Sequence, residues 1–238
     1  MQAIILLGGK GTRLQGLYPD RPKALAPIAG RPFLEWQLAW LARHGISDVH
    51  LAAGYKAQAI RDWAATAMQG GAITVSAEPA PLGTGGGLKF TEKFIRTDPF
   101  LILNGDSLLP DLDFKAFTED GSKSSALATL AITRIESAGR YGIVEFDARK
   151  RVTAFREKAV HTGGWINGGA YLAHQALLNH IEPDKNLSLE TDVFPALCAK
   201  GQLGVFFSTP PLLDMGTPDG IRSMEEYLRN PVVNKARR

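Results

Sequence analysis

The amino-acid sequence predicts an α/β fold with a doubly wound, mostly parallel sheet, and two observations carry that prediction. In the first half of the 238-residue chain, short apolar runs alternate with longer segments whose apolar residues recur at helical spacing. Strands that alternate with helices form parallel sheets covered by helices on both faces. Glycine-rich turns follow several of the apolar runs, at the carboxyl ends of strands, where such folds bind their ligands.

The elements of the first half follow from this pattern in chain order. In the first helical segment Phe33, Leu34, Leu38 and Leu41 recur at helical spacing, and Gly45 follows as a stop signal. We predict strands over residues 2–7, 48–53, 73–77, 99–104 and 125–132, and helices over 33–44, 56–68, 84–95 and 113–118.

After residue 133 the alternation becomes less regular. We expect one domain over residues 1–229, in which the later strands form a lid over the same site. The last nine residues, 230–238, are expected to be a mobile basic tail. The predicted elements of this half are a hairpin of 141–147 with 151–156, strands over 165–172 and 203–208, and helices over 188–200 and 218–229.

Charge and composition argue against several classes of partner. The net charge is +3, but Lys235, Arg237 and Arg238 lie within the last four residues, so we expect no nucleic-acid partner. No apolar run approaches the roughly 20 residues of a membrane span, so we expect no membrane partner. Cys198 is the only cysteine and no secretory signal precedes the first strand, which together predict a cytoplasmic location.

The first predicted strand ends in a turn suited to polyphosphate. Glycines at positions 8, 9 and 11 allow the backbone to turn tightly and to bring several N–H groups near an anion. Arg13 and Lys23 follow and would supply countercharge, the arginine as a fork and the lysine as a point charge. The sequence therefore favours a phosphate site here.

Two familiar phosphate loops do not match this turn. A Walker loop needs Ser or Thr directly after its lysine, but Gly11 follows Lys10. The dinucleotide fingerprint needs a third glycine and an acidic residue at the end of the second strand, which here ends at Gly54 without a carboxylate. Taken alone, the turn is equally compatible with an ordinary surface loop.

Polar residues also follow the third and fourth predicted strands. Glu78 precedes a loop with glycines at 83, 85, 86 and 87, which is suited either to a flat base and a helix N-terminus facing phosphate, or to a flexible connector. Asp106 follows the fourth strand, and Asp214 ends a later apolar run before a glycine turn. Because Mg²⁺ favours one or two carboxylates with phosphate oxygens, this pair is a candidate metal site, with Asx-turn capping as the alternative.

Two further clusters suit a polar, phosphorylated second substrate. Glu157 and Lys158 end the second strand of the hairpin, where a solvated charge pair is the alternative interpretation. Asn167, Gly168 and Gly169 interrupt a predicted strand, and glycine within a strand often marks a close approach by a ligand. The five histidines are scattered and predict neither a metal site nor a catalytic pair.

Together these motifs resemble those of the sugar-1-phosphate nucleotidyltransferase family along nearly the whole chain. The resemblance implies a Rossmann-like, GT-A-like nucleotidyltransferase fold, with a nucleotide-binding half at 1–133 and a sugar-binding lid at 134–229. It also implies transfer of a nucleotide from a nucleoside triphosphate to a sugar 1-phosphate, with release of pyrophosphate. The matching motifs, in order, are Gly8-Gly9-Lys10-Gly11-Thr12-Arg13-Leu14, Pro22-Lys23, Glu78 with Pro81 to Gly86, Asn104-Gly105-Asp106, Tyr141-Gly142, Glu157-Lys158, Asn167-Gly168-Gly169 and Asp214-Met215-Gly216-Thr217-Pro218.

The resemblance also implies a role for each position. Mg²⁺ is the implied cofactor, held by Asp106 and Asp214, and the implied catalytic residues are Arg13, Lys23 and Asp106. The attacking phosphate oxygen is already anionic, so positioning and charge neutralisation suffice without a protein base. The implied nucleotide-binding residues are Leu7, Gly8, Gly9, Gly11, Thr12, Arg13, Glu78, Gly83 and Thr84, and the implied sugar-phosphate-binding residues are Gly142, Glu157, Lys158, Asn167 and Gly168.

Position 78 bears on the choice of base. Uridylyl- and thymidylyltransferases of the family commonly carry Gln there, whereas a carboxylate only accepts hydrogen bonds and suits the adjacent N1–H and N2–H donors of guanine. GTP is therefore the expected substrate. Segments 31–35, 81–86 and 165–169 are most similar to guanylyltransferases that act on D-glycero-α-D-manno-heptose 1-phosphate. Gly168, where the family often has Ala, would leave room for a bulky sugar.

Several alternatives stay open at this stage. Within the family they are a uridylyltransferase for an amino-sugar 1-phosphate such as N-acetylmuramate 1-phosphate, and a mannose-1-phosphate guanylyltransferase. An NAD-binding oxidoreductase lacks support because the ribose carboxylate is missing. A catalytically silent sugar-nucleotide sensor is opposed by the presence of Arg13, Lys23, Asp106 and Asp214. The oligomeric state is open, with a homo-oligomer as one option.

Overall fold

The structure, a computed structural model, describes residues 1–9, 11, 18–67, 72–136, 141–156 and 163–229. Its strands are β1 (Gln2–Leu7), β2 (Pro27–Ile28), β3 (Arg31–Pro32), β4 (Asp48–Ala53), β5 (Ala72–Ala77), β6 (Phe100–Asn104), β7 (Ser107–Leu108), β8 (Ala128–Ile135), β9 (Ile143–Phe146), β10 (Val152–Arg156), β11 (Gly164–Ala173), β12 (Leu203–Ser208) and β13 (Leu213–Asp214). Its α-helices are α1 (Phe33–Arg43), α2 (Ala57–Ala67), α3 (Gly83–Phe90), α4 (Phe114–Lys123), α5 (Phe194–Ala199) and α6 (Pro218–Arg229).

Strands β5, β4, β1 and β6 lie side by side in that order and run parallel. The chain starts at β1, winds outward through β4 and β5, and then returns to place β6 on the other side of β1. The direction of winding reverses between β1 and β6, and ligands of doubly wound sheets bind in the crevice at that point. The α/β, doubly wound prediction is confirmed.

The second half of the chain extends the same sheet. β11 pairs antiparallel with β6 on one side and with β8 on the other, and β12 then pairs parallel with β8. The predicted hairpin forms as β9 and β10, which join the sheet through the pairing of Ile143 with Ile166. Over the described residues the result is a nine-stranded mixed sheet, and the lid expected from this half stays a prediction.

The core has two parts, one on each face of the sheet. All six residues of β1 are buried, and they alternate between the two parts: Ala3 and Ile5 pack with α1, whereas Ile4 packs with Phe194 of α5. This is the pattern of a parallel strand covered on both faces. It fixes the end of β1, and hence the turn that follows, relative to its neighbours.

The observed elements differ from the predictions mainly at their ends. α3 ends at Phe90 rather than at residue 95. Directly after Phe90, the Thr91 hydroxyl donates to the carbonyl oxygen of Leu88 (2.7 Å), and a short 3₁₀ turn follows. The helix predicted from residue 188 begins as a π-helical turn over Leu189–Val193. The tail at 230–238 lies outside the described residues. In the described part of the chain, no helix has both the length and the apolar character needed to cross a membrane.

Candidate active site

A cavity of about 520 Å³ lies at the carboxyl ends of the parallel strands, at the point where the winding reverses. It brings together residues from turns that are far apart in sequence. Its lining includes Leu6, Leu7, Gly8, Gly9, Gly11, Pro22, Lys23, Ala24, Ala52, Glu78, Pro81, Gly83, Thr84, Gly87, Asn104, Gly105, Asp106 and Asn186.

The glycine after β1 makes room for a carboxylate. A Cβ atom at Gly8 or at Gly54, which follows β4, would collide with Oε1 of Glu78. Glu78 therefore lies against bare backbone at the ends of two neighbouring strands. Gly8 was predicted to be part of an anion-binding turn, and the packing against Glu78 gives it a second reason. Gly54 was not predicted as a site residue.

Glu78 offers hydrogen-bond acceptors to the cavity, and its burial disfavours the charged form of the carboxylate. Its Oε2 accepts a hydrogen bond from the backbone N–H of Leu82 (2.7 Å), which holds the carboxylate in place. Burial raises the pKa of Glu78 above its usual value, and the Leu82 bond offsets only part of that rise. A ligand that donates hydrogen bonds to this carboxylate would therefore favour its ionised form.

Lys23 reaches across the cavity to the end of β6. Its Nζ lies 2.8 Å from Oδ2 of Asp106, and the lysine side chain is 15% exposed against 45% for the aspartate. Gly11 adopts φ +59° above it, and a Cβ there would lie 3.2 Å from the Cβ of Lys23. The predicted catalytic residues Lys23 and Asp106 are thus in contact, with the carboxylate still accessible from the cavity.

Asp106 and Asp214 are neighbours in the fold although they are distant in sequence. Asp214 pairs with Ser107 in the short β7–β13 ladder, and the N–H of Met215 donates to the Asp106 carbonyl oxygen (3.0 Å). The fully buried Gln37 of α1 fixes the same turn, because its Nε2 donates to the carbonyl oxygens of Asn104 (2.8 Å) and Ser107 (3.0 Å).

Further bonds orient the Asp214 carboxylate. Its Oδ2 accepts from the Tyr141 hydroxyl (2.7 Å), and its Oδ1 accepts from the Gly216 N–H (2.6 Å). Among the described residues, no group of three or more His, Cys, Asp or Glu side chains forms a metal site. The backbone pairing brings the two aspartates together, and Asp106 lines the cavity; Mg²⁺ favours one or two carboxylates with phosphate oxygens and water.

The glycine run at the start of α3 has a different reason from the predicted one. The N–H groups of Gly85 and Gly86 donate to the carbonyl oxygen of Leu187 (2.7 and 3.2 Å). A Cβ at Gly83 or Gly86 would collide with the backbone at Leu187 or Lys185. A segment of the second half therefore occupies two of the N–H groups at this N-terminus, whereas Gly83 and Thr84 line the cavity, and its role in phosphate binding stays a prediction.

The Asn167–Gly169 segment lies behind the turn that carries Asp106. A Cβ at Gly169 would collide with the hydroxyl of Ser107, and one at Gly168 with the side chain of Leu109. The interpretation that Gly168 leaves room for a bulky sugar is therefore wrong, since the missing Cβ makes room for Leu109. Asn167 accepts from the Gly169 N–H through Oδ1 (3.0 Å).

A polar network around Asn167 was not predicted. The Asn167 side chain donates through Nδ2 to the buried Tyr171 hydroxyl (2.8 Å), which donates in turn to Glu190 (3.1 Å). The network also includes Thr84 and Asn104, which bond to Glu190 and Tyr171. No spacing in the sequence indicates that these residues meet.

The remaining predicted residues are only partly described. Gly142 precedes β9, and a Cβ there would lie 3.2 Å from the carbonyl oxygen of Arg156. Thr12, Arg13, Glu157 and Lys158 lie outside the described residues.

The chain matches known proteins over most of its length. It is 34% identical to D-glycero-alpha-D-manno-heptose 1-phosphate guanylyltransferase of Aneurinibacillus thermoaerophilus, over 97% of this chain and 99% of that one. It is 35% identical to a mannose-1-phosphate guanyltransferase of Aspergillus oryzae, over 92% of this chain but 61% of the longer relative.

A solved structure agrees with these relatives. HddC from Yersinia pseudotuberculosis, complexed with GMP-PN, superposes with a TM-score of 0.83 at 29% identity and covers 95% of this chain and 99% of HddC. The nucleotidyl transferase family profile matches residues 2–230. By fold, motif order and sequence identity, this chain belongs to the nucleotidyl transferase family.

Proposed function

We propose that this chain transfers GMP from GTP to D-glycero-α-D-manno-heptose 1-phosphate, giving a GDP-heptose and pyrophosphate. The names of the heptose 1-phosphate guanylyltransferase relative and of the HddC complex with GMP-PN support this activity. The observation that carries the choice of nucleotide is the Glu78 carboxylate, which lies among glycines at the wall of the cavity.

The guanine base is assigned to Glu78. A carboxylate has about four lone-pair sites and no donor, so it accepts from two N–H groups at once. Oε2 uses one such site for the Leu82 N–H, which leaves acceptor capacity on both oxygens. Guanine offers adjacent N1–H and N2–H donors, whereas uracil offers one donor between two carbonyl oxygens that the carboxylate would repel.

The triphosphate is assigned to the glycine turn after β1, with Lys23 and Arg13 as its cationic partners. In the reaction, an anionic oxygen of the sugar phosphate attacks the α-phosphorus and forms a new P–O bond. The bond from the α-phosphorus to the bridging oxygen breaks, and pyrophosphate leaves with that electron pair. No proton needs to move, which agrees with the lack of a catalytic histidine pattern in the sequence.

We assign Asp106 and Asp214 to Mg²⁺, which when bound neutralises the charge that builds on the α-phosphate and on pyrophosphate. The Lys23 ammonium pairs with Asp106 in the structure at 2.8 Å. Lys23 lines the same cavity, so its ammonium would also reach a phosphate oxygen bound there.

The sugar phosphate is assigned to residues of the second half, with Asn167, Gly142, Glu157 and Lys158 as its binding groups. The division into a nucleotide-binding half at 1–133 and a sugar-binding half at 134–229 belongs to this proposal. It is supported by the position of the Asn167 segment against the turn that carries Asp106. The cytoplasmic location also stays a prediction.

Mannose 1-phosphate is the second candidate acceptor, because a mannose-1-phosphate guanyltransferase is among the relatives. The test is pyrophosphate release with GTP, UTP, CTP and dTTP against heptose, mannose and amino-sugar 1-phosphates. We expect the highest kcat/KM for GTP with the heptose 1-phosphate. Higher kcat/KM with mannose 1-phosphate would replace the acceptor, and equal or better use of UTP would contradict the assignment of guanine to Glu78.

A further inference from the structure

The Glu190 carboxylate lies where hydroxyl groups from three parts of the chain converge. Its Oε1 accepts from the hydroxyl of Tyr171 on β11 (3.1 Å). Its Oε2 accepts from the hydroxyls of Thr84, at the start of α3, and Ser188 (both 3.0 Å). Thr84 lines the cavity, so the carboxylate connects the cavity wall to the sheet.

The other bonds of these hydroxyls fix where their protons point. The Ser188 oxygen accepts from the N–H groups of Glu190 (3.2 Å) and Thr191 (3.3 Å), and the Thr84 oxygen accepts from the Leu189 N–H (2.8 Å). A hydroxyl that already accepts has its proton left to donate. Both protons are therefore directed at Glu190, which must accept them.

The Tyr171 hydroxyl is constrained in the same way. It accepts from Nδ2 of Asn167 (2.8 Å) and from Nδ2 of Asn104 (3.3 Å), so its own proton also goes to Glu190. Burial raises the pKa of Tyr171 well above its usual value, and the Glu190 charge adds to that rise, so the hydroxyl stays protonated.

Tyr171 in turn sets the orientation of two side-chain amides. Asn167 is held at both ends, with Oδ1 accepting from the Gly169 N–H (3.0 Å) and Nδ2 donating to Tyr171. This leaves one N–H and one lone pair of the Asn167 amide for a ligand. Asn104, which lines the cavity next to Gly105, is turned by the same hydroxyl.

We propose that Glu190 is a positioning residue for the transfer reaction: through Tyr171 it fixes the amides of Asn104 and Asn167, and through Thr84 it fixes the cavity wall at α3. This inference rests on the proposed function, because that function assigns the Asn167 amide to the sugar phosphate. Glu190 itself touches no substrate in this scheme. Its effect is to keep the donors and acceptors of other residues in the orientation that a sugar phosphate needs.

The first test replaces Glu190 with glutamine, which keeps the shape but has one acceptor oxygen. In the variant that oxygen accepts from the hydroxyls of Thr84 and Ser188. The amide N–H₂ group then faces the Tyr171 hydroxyl, which loses its acceptor. We expect the Glu190→Gln variant to raise KM for the sugar phosphate about tenfold, the order that loss of one hydrogen bond to a charged group produces, with KM for GTP within about threefold.

The second test uses Tyr171→Phe, which removes the hydroxyl from the other side. If Glu190 acts through Tyr171, the double variant raises KM for the sugar phosphate no more than the worse single variant. Additive effects, or an unchanged KM for the sugar phosphate in either folded single variant, would overturn the proposal. If Glu190→Gln does not fold, Tyr171→Phe is compared with the wild type alone. An unchanged KM for the sugar phosphate in Tyr171→Phe would then overturn the proposal.

The matched control is Asp192→Asn on the same π-helical turn. Asp192 accepts from the Ser188 N–H (2.7 Å) through a carboxylate oxygen that asparagine retains. We expect this variant to leave both KM values unchanged.

A readout on the free protein separates this inference from the proposed function. The side-chain amide NMR signals of Asn167, assigned with an Asn167→Ala sample, should shift in Glu190→Gln and not in Asp192→Asn, whatever substrate the protein uses. Unshifted signals in Glu190→Gln would contradict the positioning role. Wild-type protein that fails to turn over GTP with any sugar 1-phosphate would contradict the proposed function alone.

Discussion

Replacement of Glu78 by glutamine tests the chemistry of the nucleotide site with the smallest change in shape. Guanine presents two adjacent N–H donors, and the glutamate carboxylate accepts both. Glutamine keeps one acceptor oxygen and turns an N–H₂ group toward the other donor. The variant therefore loses one hydrogen bond to a charged acceptor, worth ~1.5–3 kcal/mol, which corresponds to a fall of about 10- to 150-fold in kcat/KM for GTP.

The same change should spare the fold. Burial raises the pKa of Glu78, which means that its buried surroundings disfavour the ionised carboxylate. A neutral glutamine avoids that penalty and still accepts the Leu82 N–H, so we expect an unchanged or higher melting temperature. Loss of GTP activity in Glu78→Gln would then be a loss of recognition and not of structure.

The assay is pyrophosphate release with GTP and with UTP, run beside a Glu119→Gln control. Glu119 is a half-exposed carboxylate on α4, and its nearest ion-pair contact, with Lys115, is 4.0 Å long. We expect the ratio of kcat/KM for GTP to that for UTP to fall in Glu78→Gln and to stay constant in the control. A Glu78→Gln enzyme that keeps its wild-type preference for GTP would refute the assignment of guanine to this residue.

Four further predictions follow from the structure. The raised pKa of Glu78 means that GTP binding, which needs the ionised form, should weaken as the pH falls through that pKa; titration of GTP affinity against pH should show this acid limb in wild type and not in Glu78→Gln. The pH dependence of stability has the opposite sign. Because the folded-state pKa of Glu78 is raised, this residue contributes stability below its unfolded pKa, and the contribution is lost as the pH rises through the folded pKa. Thermal melts should therefore show Glu78→Gln gaining stability relative to wild type from pH 4 to pH 7. Asp106→Ala should abolish turnover and weaken Mn²⁺ binding measured by electron paramagnetic resonance on the protein alone, and a fully active variant would contradict the metal assignment. Gly86→Ala should lower the free energy of unfolding by ~1–3 kcal/mol because its Cβ meets the Lys185 carbonyl oxygen, whereas Gly87→Ala, whose nearest atom is 3.8 Å away, should leave it unchanged or higher; equal melting temperatures for the two variants would contradict the packing explanation.

The order of strands and helices could be predicted because it depends on local patterns. The apolar runs at 2–7, 48–53 and 203–208 form strands with the predicted bounds, and α6 covers the predicted 218–229. These segments have clear turn or proline signals at their ends. The same alternation indicated the parallel sheet, and with it the edge at which the cavity lies.

Interactions between distant segments could not be predicted in the same way. The glycine run was interpreted as a ligand surface, and Gly83 does line the cavity, but the backbone of 185–187 packs against Gly85 and Gly86. Gly168 was interpreted as room for a sugar, but Leu109 fills that space. A glycine in a sequence shows that something approaches closely, and only the fold shows whether that is substrate or protein.

The network of Thr84, Tyr171 and Glu190 shows the same limit for polar residues. Each member belongs to a different element, and their pattern has no period that a sequence would reveal. Asp106 and Asp214 were correctly predicted to be neighbours. Each follows an apolar run and lies next to a glycine turn, which places it at the end of a strand. Their role as metal ligands stays a prediction.

A crystal structure of the protein with Mg²⁺ and a non-hydrolysable GTP analogue tests the central claim most directly. We expect the guanine N1–H and N2–H groups within hydrogen-bonding distance of Glu78, the triphosphate over the glycine turn after β1, and one cation between Asp106 and Asp214. A base bound away from Glu78, or a cation that contacts neither aspartate, would contradict the account.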